Sequence, residues 1–148
     1  MIRSALVAAL LLSAPAAMAQ PAGPVGVDAA WARATTGGDT SAAYVTLSGH
    51  GTSASLVGVS TPDADMAMLH ESADDHGVSR MRDVAAFDVP ARGTAAMRPG
   101  GVHIMLMMLH HPLHSGDHLP LKLRLADGEE IETTAIVGGP GALVSPPR

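Results

Sequence analysis

The sequence predicts an all-β protein, a single antiparallel β-sandwich of Greek-key type. Three observations carry that expectation. From Val27 to Val137, short apolar or alternating runs recur between breaks of Gly, Pro, Asp and Ser. The run Leu119-Pro-Leu121-Lys-Leu123-Arg-Leu125 alternates strictly, so Lys122 and Arg124 face water while the leucines face a core. Asp127-Gly128 follows as a tight hairpin turn.

The runs give expected strands at 27–33, 43–48, 55–60, 66–71, 78–84, 94–97, 103–109, 119–126 and 130–137. The most helix-like composition, at 29–34 and 85–86, is too short and aperiodic for a helix. Strands at this spacing suit one domain, 27–137, without internal repeats. Residues 20–26 (QPAGPVG) read as a flexible leader, and the Gly- and Pro-rich stretch 138–148 as a disordered tail.

The first residues read as a secretory signal peptide. Arg3 is the positive flank, Ala5 to Leu12 are apolar without a break, and Ala17-Met18-Ala19 offers small residues before a cut at Ala19. The apolar run is far below the roughly 20 residues of a membrane span. A cleaved, unanchored periplasmic protein is expected. Losing 1–19 from the 148 residues leaves 129, with 8 basic residues against 14 acidic ones and a formal charge of −6. No basic patch marks a nucleic-acid or anionic membrane partner. A monomer is expected.

The chain has 0 cysteines. An exported domain without disulfides must rely on packing, and a cysteine-ligated blue-copper centre is excluded. Histidine and methionine are abundant instead. There are 8 His, and of the 9 Met seven remain once Met1 and Met18 are removed.

His103-Ile104-Met105 lies in an expected strand. Residues i and i+2 emerge on one face about 6.6 Å apart, so an imidazole and a thioether can converge while Ile104 and Leu106 fill the core. A second pair, His70 and Met81, flanks the turn-forming segment 72–77 (SADDHG). A hairpin there would bring the two opposite or diagonal. The turn Pro99-Gly100-Gly101 could start the His103 strand beside them. Thioether sulfur is neutral and soft, suiting Cu(I) and discriminating against Zn(II), Ca(II) and Mg(II). Two His and two Met add no formal charge, so one bound Cu(I) keeps its +1. Only imidazoles must shed protons, so affinity should fall as pH drops through about 6.5. Taken singly, each of these residues is better explained as a core or edge residue than as a ligand.

The spacing of the four residues resembles that of the periplasmic copper chaperone family PCuAC, which shows His, ten residues, Met, twenty-one residues, then His-x-Met. Here His70 and Met81 enclose ten residues, Met81 and His103 enclose twenty-one, and Met105 completes the pattern. Ala30-Trp31-Ala32-Arg33, Ala42-Ala43-Tyr44-Val45-Thr46-Leu47, Leu69-His70-Glu71, Val78-Ser79-Arg80-Met81 and Pro99 to Leu106 extend the likeness, as do Pro112-Leu113 and Gly116-Asp117. The resemblance implies a cupredoxin-like sandwich and a non-enzymatic metallochaperone that binds one Cu(I) through His70, Met81, His103 and Met105. It also implies delivery to the copper centre of cytochrome c oxidase subunit II, often alongside Sco-type thiol proteins.

One departure stands out. His110, His111, His114 and His118 crowd one loop, either as solvated polar residues or as an auxiliary Cu(II) or Zn(II) site. The second option would make the protein a copper or zinc scavenger or buffer. A copper oxidoreductase is the remaining alternative, though no acid/base pair or radical-forming Tyr lies near the motif in sequence. His50 and His76 are expected at the surface. Met66, Met68, Met97, Met107 and Met108 are expected to pack, with Met68 on the face of His70.

Overall fold

The computed structural model describes residues 23–147. The expected signal peptide, 1–19, lies outside them. Ten strands follow in order: β1 Val25–Arg33, β2 Ser41–His50, β3 Ala54–Ser60, β4 Ala64–Asp75 and β5 Val78–Asp83. β6 Phe87–Val89, β7 Arg92–Ala96, β8 Val102–Leu109, β9 His118–Leu125 and β10 Glu130–Gly138 complete them. No helix occurs among the described residues. All nine expected strands are present, and β6 is additional. Val25 and Gly26, expected in the leader, are the first residues of β1, because they pair with Gly49 and Ser48 and Val25 is buried. Gly138, expected in the tail, ends β10, and Ala34 N donates to its carbonyl at 3.1 Å.

The strands form one continuous sheet in the order β5-β4-β8-β2-β1-β10-β9-β3-β6, with β7 added on β2. It is mixed rather than purely antiparallel. β1 and β10 run parallel, Trp31 beside Ile136, a pairing between chain ends that no local pattern announces. The sheet curls over a core of alternate residues: Ala43, Val45 and Leu47 from β2, Ile104 and Leu106 from β8, and Leu119, Leu121, Leu123 and Leu125 from β9. Leu69 of β4 and Val137 of β10 join them. The Leu119–Leu125 alternation thus serves the expected purpose. The Asp127-Gly128 turn forms as expected too, with Gly128 at φ 92° and its N–H donating to Leu125 O at 3.0 Å.

The β4–β5 hairpin is longer than the sequence suggested. β4 continues to Asp75, so the turn is only His76-Gly77, both at positive φ (52° and 81°). This is the two-residue geometry whose twist matches that of antiparallel strands. Gly77 N donates to Asp74 Oδ1 at 2.8 Å, fixing the turn. Because the ladder is unbroken, residues of β4 and β5 hold a fixed register down to the hairpin base.

Candidate metal centre

Alternation assigns faces. Leu69, Ile104 and Leu106 point into the core, so Met68, His70 and Ser72 of β4 and His103 and Met105 of β8 occupy the outer face. On that face His70 is directly opposite His103, and Met68 opposite Met105. The two imidazole centroids are 6.0 Å apart with the rings edge-on at 75°. From β5, Met81 is opposite Ser72 and Asp83 opposite His70. Met81 is therefore diagonal to His70, one of the two placements a hairpin permits. The turn before β8 closes as Gly101 N donates to Arg98 O at 3.0 Å. Ser72 N donates to Gly101 O at 3.1 Å, which ties that turn to β4.

The two histidines are prepared differently. His103 is buried, and its Nδ1 sits 3.1 Å from the Gly101 carbonyl. A carbonyl can only accept, so Nδ1 carries the proton and Nε2 keeps a lone pair for an ion. Such a second contact fixes both tautomer and orientation of a metal-binding imidazole. His70 has neither ring nitrogen hydrogen-bonded, although both are shielded from solvent. Its Nε2 lies 2.9 Å from Asp83 Oδ1 without forming a directed hydrogen bond. Buried, unpartnered imidazole nitrogens are costly. An ion between the rings would give one of the two nitrogens a partner.

Met81, His103 and Met105 line one open depression of about 320 Å³ with Tyr44, Ser72 and Arg33. Tyr44 is its wall. Trp31 stacks on one side of that ring at 4.4 Å, Arg33 lies over it at 5.8 Å, and His103 tilts against it at 6.3 Å. Burial raises the Tyr44 pKa, and the nearby Arg33 charge opposes the rise, so the phenol stays protonated and adds no charge to the site. Met81 is 53% exposed, in contrast to His103 at 4%. The donor set is soft on both flanks and neutral, which fits Cu(I) and fits hard divalent ions poorly. Asp83 was not foreseen. Its signal was available, since it stands two residues beyond Met81 and so shares its face.

The histidine-rich loop does not converge. His110 Nε2 lies 2.7 Å from Asp65, His111 Nε2 lies 3.3 Å from Asp63, and His114 Nδ1 lies 3.6 Å from Asp117. Each of these three imidazoles is drawn to its own carboxylate, while His118 pairs into the start of β9. Among the described residues, no three of His, Asp and Glu gather as a metal-holding group. Of the two readings of this loop, solvated polar residues or an auxiliary Cu(II) or Zn(II) site, the side-chain placement follows the first. The side-chain bond to Asp65 raises the His110 pKa. For His111 the bond to the Pro112 carbonyl, then Asp63, raises it.

Comparison with known proteins follows the same lines. The DR1885 protein of Deinococcus radiodurans, solved in solution in its apo form, is 32% identical, covers 93% of this chain and 95% of its own, and superposes with a TM-score of 0.61. Its CuI form gives the same identity and TM-score over 82% of this chain and 81% of its own. The apo PCuAC domain from PmoF1, at 23% identity, shares the fold with a TM-score of 0.67 over 80% of this chain and 96% of its own. "Putative lipoprotein Lxx21020" of Leifsonia xyli subsp. xyli is 36% identical over 140 residues, 86% of this chain and 84% of its own. Fold and sequence together define a PCuAC-type copper-chaperone domain with a cupredoxin-like β fold. The chain belongs to the LpqE-like family, described as "Putative lipoprotein LpqE-like", whose profile matches residues 25–137. Both the family description and the name of the Leifsonia relative carry the word lipoprotein.

Proposed function

We propose that this protein binds one Cu(I) between His70 and His103, with Met81 and Met105 as the flanking thioether ligands, and passes it to a recipient in the periplasm. The observation that carries the reading is the His70–His103 rung, where two shielded imidazole nitrogens of His70 lack any hydrogen-bond partner beside the fixed ring of His103. Copper here is cargo, not a resident catalyst, so retention and release matter equally. His103 serves as the fixed anchor. Met81, on the outermost strand and half exposed, is the ligand a recipient can displace first. Thioethers bind less strongly than thiolates, so a recipient offering cysteine takes the ion by stepwise ligand exchange. The family resemblance points to the copper centre of cytochrome c oxidase and to Sco-type thiol proteins as such recipients.

X-ray absorption on the Cu(I)-loaded protein tests the site. Two nitrogen and two sulfur neighbours are expected, and a shell of nitrogen alone would overturn it. Transfer is tested separately by mixing the loaded protein with an apo dithiol acceptor. Retention of all copper by this protein would remove the delivery role while leaving the binding site intact.

A further inference from the structure

The register of β4 against β8 brings together more methionines than the copper pattern uses. Below the His70–His103 rung, Met68 faces Met105, and in the next outer-face pair Met66 faces Met107. The four thioethers form a two-by-two array on the outer face. Directly opposite residues have Cβ atoms about 4.5–5.5 Å apart, and successive same-face residues are about 6.6 Å apart along a strand. Long, unbranched methionine side chains bridge such separations easily. Polar residues would be expected on a solvent-facing sheet surface. Met66 is instead 41% exposed, and Met68, Met105 and Met107 are only partly covered. Met105 has the small Ala42 on its other side, which leaves room beside the array. Filling core gaps does not account for this set, because the core lies on the opposite face with Leu69, Ile104 and Leu106.

We propose that Met66, Met68 and Met107 form a second soft-ion site, all thioether in character, for Cu(I) or its analogue Ag(I). Met105 stands between it and the histidine rung and is shared as the ion passes from one to the other. Three neutral sulfurs suit a soft monovalent ion and offer little to hard divalent ones. The array is a staging position along the strands, one rung from the histidines. Ion binding by the array stands apart from the copper site proposed above, whereas its staging role rests on that site.

The test is native mass spectrometry during Ag(I) titration, supported by Cu(I) X-ray absorption. The unaltered protein is expected to hold two Ag(I). Met66→Leu with Met107→Leu should hold one, keep a mixed nitrogen and sulfur Cu(I) shell, and melt within a few degrees of the parent, since leucine packs as well as methionine. His70→Ala with His103→Ala should hold one Ag(I) in a sulfur-only shell. Saturation of the unaltered protein at one ion, or retention of two by the leucine variant, would overturn the second site. Saturation at one ion with a mixed shell would leave the histidine site standing. If the alanine variant still held two ions, the histidine reading would fail and the methionine array would survive.

Discussion

His70 and His103 face each other across β4 and β8 with their rings edge-on, 6.0 Å between centroids, and His103 holds a hydrogen bond that His70 lacks. The asymmetry separates binding from stability. His103→Ala removes the side-chain partner of the Gly101 carbonyl and opens buried space, so a stability loss of about 1–2 kcal/mol is expected in urea unfolding. His70→Ala removes a ring with no hydrogen bonds and should cost less. Both should abolish tight Cu(I) binding in a competition titration against a chromophoric chelator.

Met81 gives the cleaner probe, because it is exposed on β5 and supports little packing. Met81→Leu should change stability by no more than about 0.5 kcal/mol. X-ray absorption should then find one sulfur neighbour fewer at the copper. An unchanged sulfur count would show that another methionine, Met68 being nearest in register to Met105, supplies the ligand.

In the copper site proposed above, Asp83 acts through His70 rather than on the ion. Its carboxylate lies 2.9 Å from His70 Nε2 and restrains the ring. Asp83→Ala should weaken Cu(I) affinity by about 10–100-fold, the usual effect of losing a group that orients a ligating imidazole. The nitrogen and sulfur neighbour count should stay as it was. Asp83→Asn should recover part of the loss if orientation, rather than charge, is what the residue provides.

The histidine loop makes a pH prediction. His110 and His111 are each held above the ordinary imidazole pKa in the folded protein by carboxylate and carbonyl partners. A raised folded-state value stabilises the fold below the unfolded pKa of about 6.5, and that contribution disappears as pH rises through the folded value. The tie between this loop and the Asp63–Asp65 segment should therefore loosen towards alkaline pH. NMR titration should find both imidazoles above 6.5, and Asp65→Asn should lower His110 while leaving His111 nearly unchanged.

Much of this architecture was legible because it is periodic. Leu119 to Leu125 states its face by alternation, Asp127-Gly128 states its turn, and His103 and Met105 share a face in any strand. The illegible parts are those set by partners distant in sequence. β6 is three residues long, stops at Pro90, and exists because Phe87 and Val89 meet Leu56 and Ala54 of β3. The parallel β1–β10 pair depends on contacts between chain ends. Cross-strand register is equally hidden. The segments 66–70 and 103–107 each alternate clearly, yet nothing in either shows that His70 meets His103 rather than Met105. The placement of the His loop is hidden for a related reason, since proximity in sequence leaves a cluster open while Asp63 and Asp65, more than 40 residues away, each draw one imidazole aside.

In the copper-delivery role proposed above, the order of strands has a consequence for how cargo leaves. His103 belongs to β8, paired on both sides, whereas Met81 belongs to β5, which has a neighbour on one side only. An incoming ligand can therefore replace the rim sulfur while the inner imidazole still grips the ion, and the core need not rearrange. Departure becomes a peeling from the sheet margin inward, with His103 the last to let go.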